Sequence, residues 1–302
     1  MAIRDRPDQW VPVLFTRVIS GRIWYVPGVS SGETSFGVWP ALINASEHGA
    51  CTPILGPGLV EPYVGSSRDI ARRWTASSRV PLAALDSGEL RQVAQYLSVA
   101  QTREYALQLI REDYRNEVLH RFGGAAPDGR PEAGLEEVLA DAMFSERRRD
   151  PSEPHGILAR CPFPVYITTN WDGLLERALV DASKAPRVDD YPWDESSSEP
   201  ERSSGLLPDA SPSPDRPQVY HLFGRMERPE SLVLTEDDCF DCLMGLSKDA
   251  RLDSEVKRAL SNRAMLFLGF QMNDWSFRAV FHLMSSSSAS STGSGSECER
   301  RV

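Results

Sequence analysis

The sequence predicts an α/β protein, a Rossmann-like parallel sheet flanked by helices with a helical module inserted, and three observations carry that prediction. Short runs rich in β-branched and apolar residues, "CTPIL", "PVYITT", "QVYHLFG" and "AMLFLGF", recur along the 302-residue chain. Segments with helical spacing separate them, and strands alternating with helices imply a parallel sheet covered on both faces. Glycine and short polar residues gather where these strands end. In open sheets of this kind, ligands bind at the carboxyl ends of the strands.

Taken in order, residues 1–45 form an N-terminal arm rich in aromatic and turn residues, including Trp10, Phe15, Trp24 and Tyr25. So much apolar side chain has to pack, either on the arm's own domain as an extra strand or cover, or on a neighbouring copy. The domain proper spans 46–284. It opens with "CTPILGPGL", a strand and glycine turn, then "SSRDIARRWTA", a helix that Ser66 or Ser67 can cap. A helical module at 88–150 follows, with Leu90, Val93, Leu97, Leu107, Ile110, Tyr114, Val118 and Phe122 on one or two long helices and Leu135 to Met143 on another. Then come strand "PVYITT", helix "GLLERALV", strand "QVYHLFG", a short strand "SLVLT", helices "EDDCFDCLMGL" and "DSEVKRALS", strand "AMLFLGF" and helix "DWSFRAVFHLM". Residues 186–217, loaded with Pro, Ser and acid, predict a long flexible loop, and the low-complexity tail 285–302 predicts disorder.

Composition narrows the function classes. A net charge of −10 argues against a general nucleic-acid binder, and 41% hydrophobic residues are enough for a full core. No apolar run reaches the ~18–20 residues needed to span a bilayer, and "MAIRDRPDQW" lacks the apolar centre of a signal peptide. Five cysteines without framework spacing fit a reducing compartment. These readings place the chain in the cytoplasm. The pair Cys239 and Cys242 is a single C-x-x-C, and a structural zinc site needs four ligands, which His221 is poorly placed to complete. Two cysteines packed at i,i+3 on a helix is the plainer reading, and no metal is expected.

Four strand ends carry the polar chemistry. Gly56 and Gly58 in "ILGPGL" allow close backbone approach to a pyrophosphate, although a G-x-G among 21 glycines is also an ordinary turn. "TTNWD" delivers Thr169, Asn170 and Asp172 straight into a helix. Such residues can hold a ribose or a water, and capping of the helix explains one of them equally well. "VYHLFG" supplies His221 and Gly224, with His221 either a base or a hydrogen-bonded core histidine. "LFLGFQMNDW" ends its strand at Gly269 and starts a helix near Asp274, itself a candidate N-cap.

In this order the four motifs resemble the sirtuin-like domains of prokaryotic immune, or antiphage, effectors, the branch that consumes NAD+ rather than deacylating proteins. The resemblance covers roughly residues 50–284, and "TTNWDGLLERAL" and "VYHLFG…SLVLTEDD" are its specific parts. It implies NAD+ as substrate lying across the strand ends and hydrolysis of the nicotinamide–ribose bond. Asn170, Asp172 and His221 would be catalytic, with Gly56, Gly58, Thr169, Gly224, Gly269 and Asp274 holding the dinucleotide. It also implies a homo-oligomer and an adjoining sensor domain or protein. Two departures stand out. The family generally has Leu-His-Gly where this chain has "HLFG", so Phe223 stands at the expected histidine and His221 comes two residues earlier, on the same strand face by alternation. That substitution implies slow or conditional activity, or a silent nucleotide-binding or assembly module. The second departure is the missing pair of C-x-x-C motifs of the deacylases, which leaves deacylation the least favoured activity.

Overall fold

The computed structural model describes residues 13–19, 22–26, 39–78, 80, 88–122, 134–150, 152–194, 211–247, 251–271 and 275–281. Asp274, Trp10 and the tail 285–302 lie outside the described residues.

Five strands form the parallel sheet that the apolar runs predict. They are β3 (Cys51–Leu55), β4 (Val165–Thr168), β5 (Arg187–Asp190), β6 (Gln218–His221) and β7 (Ala264–Leu268), in the spatial order β7-β3-β4-β6-β5. β3, β4 and β6 are buried throughout, because in a covered sheet both faces must be apolar. A hairpin of β1 (Val13–Ile19) and β2 (Arg22–Val26) extends this sheet past β7. β1 runs antiparallel to it, with Phe15 opposite Leu266, and β2 forms the outer edge. The aromatic-rich arm therefore supplies strands to the sheet of its own domain.

Alternation along each strand sorts the core into two layers. Leu55, Tyr166, Val219 and Leu266 face a large cluster built with α2 (Glu61–Val64), α3 (Ser67–Ser78), α4 (Leu90–Ala100), α5 (Arg103–Phe122), α6 (Leu135–Arg149), α7 (Pro154–Arg160) and α8 (Leu174–Asp181). Ile54, Val165, Ile167, Tyr220 and Phe267 face the second cluster, with α9 (Glu236–Ser247), α10 (Ser254–Asn262) and the helical residues 275–281. α1 (Trp39–Glu47) leads into β3. The helices of the inserted module lie within 88–150, as the periodicity predicts, and bury Val93, Ile110, Tyr114 and Met143. Ser66 is the residue that caps α3. Its hydroxyl accepts from the Asp69 N–H, while the Asp69 carboxylate accepts from the Ser66 N–H.

Two expectations need correction. The stretch 186–217 is not loop from its start, because Arg187–Asp190 is a strand paired with β6, and Tyr191 and Trp193 behind it are buried. Its polar letters conceal pairing rather than exclude it: Asp190 is ion-paired with Arg225 and Arg228. "SLVLT" is not a strand. Pro229–Ser231 is a 3-10 turn, and Leu232 to Thr235 run on to the start of α9, where Thr235 and Asp238 cap each other's N–H groups.

Candidate active site

Hydrogen bonds beyond the strands' last residues tie their carboxyl ends together. Gly56 N–H donates to the Leu268 carbonyl (2.8 Å), Gly58 N–H to the Gly269 carbonyl (2.8 Å), Thr169 N–H to the Leu55 carbonyl (2.9 Å) and Leu222 N–H to the Thr168 carbonyl (2.9 Å). The motifs at the ends of β3, β4, β6 and β7 therefore share one rim. At its β3–β7 side the glycines answer to one another. A Cβ on Gly56 would stand 2.6 Å from the Gly269 carbonyl oxygen, and one on Gly58 would stand 2.9 Å from it. Gly269 has a φ of +74° and no room either, with the Leu59 nitrogen 2.9 Å away. Close approach of two backbones is thus reason enough for all three.

At the end of β4 the polar run divides its work. The Thr169 hydroxyl donates to the Leu55 carbonyl (3.0 Å), and the Thr168 hydroxyl accepts from the Asn170 N–H (3.0 Å). Asp172 Oδ1 accepts from Leu174 N–H (3.1 Å) at the start of α8, so it caps the helix in part. Its other oxygen is buried with no protein partner, as is Asn170 Oδ1. Buried polar atoms are seldom left so, and these two suit a ribose hydroxyl or a bound water. Trp171 between them packs on Tyr114 of α5, with ring centres 6.3 Å apart, which brings the helical module against the junction.

His221 is 1% exposed at the end of β6. Its Nδ1 lies 2.9 Å from the Asn170 carbonyl oxygen, and its Nε2 meets a carboxylate oxygen of Glu176 on α8. Burial acts to lower the pKa of the imidazole, and the Glu176 carboxylate, the Asn170 carbonyl and Glu227 together reverse this, so the net direction is upward. Phe223 does not share its face. β6 ends at His221 and the chain bends, so Leu222 and Phe223 both enter the second core layer, where Phe223 packs on Trp275 with centres 4.9 Å apart. Gly224 follows with a φ of +79°, and a Cβ there would fall 2.1 Å from the Ser231 carbonyl oxygen.

Sequence reasoning missed a second buried acid–histidine pair beneath this junction. Glu153 caps α7, accepting from the Gly156 N–H (2.7 Å) and the His155 N–H (3.0 Å), and it also meets His155 Nδ1 (2.6 Å) and the Tyr63 hydroxyl (3.3 Å). Burial alone would push the Glu153 carboxyl up, but the His155 imidazole and these donors hold it at about 2. Asp172 goes the other way. Burial pushes its carboxyl up, His155 and His221 oppose that, and Glu176 adds to it. Only "SEPHG", an acid before a proline at a helix start, hinted at Glu153. Tyr63, 90 residues away, had no signal there.

Cys239 and Cys242 sit buried on α9 at i,i+3 spacing. Among the described residues no group of three or more His, Cys, Asp or Glu side chains is placed to hold a metal ion. No helix among them is long and apolar enough to cross a membrane.

The chain is thus an α/β protein with a Rossmann-like parallel sheet, in which Asn170 and His221 meet at the ends of neighbouring strands. Residues 164–294 match the family described as SIR2-like domain. The chain is similar to NAD(+) hydrolase ThsA of Enterococcus faecium, 31% identical over 46% of this chain and 26% of that protein. It is also similar to the proteins of that name from Cytobacillus dafuensis (28% identical, 46% of this chain, 25% of that protein) and Bacillus cereus strain MSX-D12 (27% identical, 46% and 26%). The chain thus spans about a quarter of the length of these curated relatives.

Proposed function

We propose that this chain is an NAD+ hydrolase that cleaves the nicotinamide–ribose bond, acting in the cytoplasm as an effector of antiphage defence. The observation that carries the reading is the β4–α8 junction, where Asn170 and Asp172 each hold a buried oxygen without a protein partner inside the SIR2-like stretch. In the reaction, the bond between ribose C1′ and the pyridinium nitrogen breaks and its electron pair leaves with nicotinamide, which becomes neutral. The resulting oxocarbenium-like centre takes up water, which gives up a proton to yield ADP-ribose. Asn170 orients the ribose or that water. Asp172 opposes the developing positive charge at C1′, and its burial makes it the more basic carboxylate to receive the proton. In this reading Gly56 and Gly58 face the pyrophosphate, Gly269 the adenosine side, and Thr169 and Gly224 frame the ribose.

Purified protein incubated with NAD+ should release nicotinamide and ADP-ribose, and Asn170→Ala should abolish release with the melting temperature unchanged. Parental turnover in that variant sinks the site assignment. Binding of NAD+ without turnover supports the second reading, a silent nucleotide-binding or assembly module, which Phe223 at the expected histidine position favours. We also propose a homo-oligomer, with an adjoining sensor as its trigger. The position of β2 as the outermost strand among the described residues supports the oligomer, since a sheet edge can pair with a second copy. Light scattering on the full chain, and on the chain lacking residues 1–40, tests it, and a parent that is monomeric at every concentration refutes it.

A further inference from the structure

The contacts of His221 do not suit a general base. A neutral imidazole offers one donor and one acceptor, yet the two ring nitrogens of His221 each face an acceptor, the Asn170 carbonyl on one side and the Glu176 carboxylate on the other. Either neutral tautomer would press a lone pair against an oxygen. With Glu176 ionised, only the doubly protonated ring satisfies both contacts, and with both nitrogens protonated no lone pair is left to accept a proton. We propose that His221 serves as a cationic strut that fixes the main chain of Asn170, and that Glu176 is a positioning residue whose carboxylate keeps the strut charged.

The geometry shows what the strut would accomplish. Asn170 is held by its N–H on the Thr168 hydroxyl (3.0 Å) and by its carbonyl on His221 Nδ1 (2.9 Å). With both main-chain groups tied, the direction of the Cα–Cβ bond is set, and the side-chain amide oxygen is left without a protein partner. Glu176 lies in the first turn of α8, and the placement of that helix brings its carboxylate against the end of β6. The charged groups facing the imidazole are Glu176 on α8, Asp172 before α8 and Glu227 after β6, with His155 of α7 acting on Asp172 from below. Three acidic groups around one buried ring favour its cation.

This inference rests on the hydrolase reading only for its kinetic consequence, so the experiment has two arms. In the first, histidine ring nitrogens of the 15N-labelled full chain are followed by NMR, with the His221 signals assigned by their change in Glu176→Gln. At pH 7 His221 should show two protonated nitrogens, and Glu176→Gln should move its titration to lower pH. A neutral ring at pH 7 overturns the proposal. In the second, kcat for NAD+ is measured against pH. A strut predicts a rate that falls as pH rises through the His221 titration, whereas a base predicts a rate that climbs through it. Glu176→Gln should lower kcat about 10- to 100-fold with little change in KM, as expected for a misaimed group, and should carry the falling limb to lower pH. A limb that stays in place, or a rate climbing with His221 deprotonation, refutes the strut. If the parent does not cleave NAD+, the hydrolase reading fails while the NMR arm still decides the strut.

Discussion

Glu153→Gln is the sharpest probe of the buried network beneath the junction. The substitution keeps the shape of the side chain but turns one acceptor oxygen into a donor, in a place where four donors converge. The carboxyl, with an ordinary value of 4.5, is held at about 2 in the fold. At 1.36 kcal/mol per pH unit this difference corresponds to about 3 kcal/mol of stability. Because the folded value is depressed, that contribution is whole above pH 4.5 and is lost as pH falls toward 2. The variant should therefore be about 3 kcal/mol less stable than the parent at pH 7, with the gap narrowing to about half at pH 3. Urea unfolding of both proteins at each pH measures it. A gap that is the same at pH 7 and pH 3 would show that Glu153 acts by shape alone, and the electrostatic account would be wrong.

Gly224→Ala, which combines a positive φ with a Cβ 2.1 Å from the Ser231 carbonyl, should cost about 2–5 kcal/mol and be read as a drop of about 5–15 °C in Tm. Trp193→Phe removes the bond from Nε1 to the Ser231 carbonyl (2.7 Å) and should cost about 1 kcal/mol, while Trp193→Ala should cost about 3 kcal/mol or more by denaturant titration. An equal cost for the two would mean that the ring itself does not pack. Asp172→Asn retains an oxygen for the Leu174 N–H and removes a buried charge whose pKa is raised, so above the ordinary value of 3.8 the variant should be no less stable than the parent. Its NAD+ cleavage should nevertheless fall about 100-fold or more, and a parental rate would remove Asp172 from the chemistry.

The strands legible in the sequence were those whose burial on both faces forces apolar letters. β3, β4, β6 and β7 announce themselves this way, and the polar residues after β4 then mark the rim. β5 was hidden because "RVDD" at the sheet's edge is half-exposed and balances its charges against arginines distant in sequence. "SLVLT" misled in the opposite direction, since its apolar residues are buried by the core without any strand partner along their length. Asn170 and His221 come into contact because their motifs end strands that pair with each other. Glu176 was not legible, because an acid in the amphipathic "LLERAL" looks like a solvent-facing position until β6 arrives beside β4. The shared face assigned to His221 and Phe223 failed for a simple reason: alternation holds only while the strand lasts, and it ends at His221.

The contact between Gly56, Gly58 and Gly269 limits how this rim can diverge. Each glycine is excluded from bearing a side chain by main-chain atoms of the opposite loop, so shrinking the side chains that also crowd Gly56 and Gly269, Phe270 and Leu59, would not make room. No pairwise compensation is available, so the three positions can change only if both loops are rebuilt together. The main chain of Asn170 is held differently, by the side chains of Thr168 and His221, so there a single substitution can alter the rim.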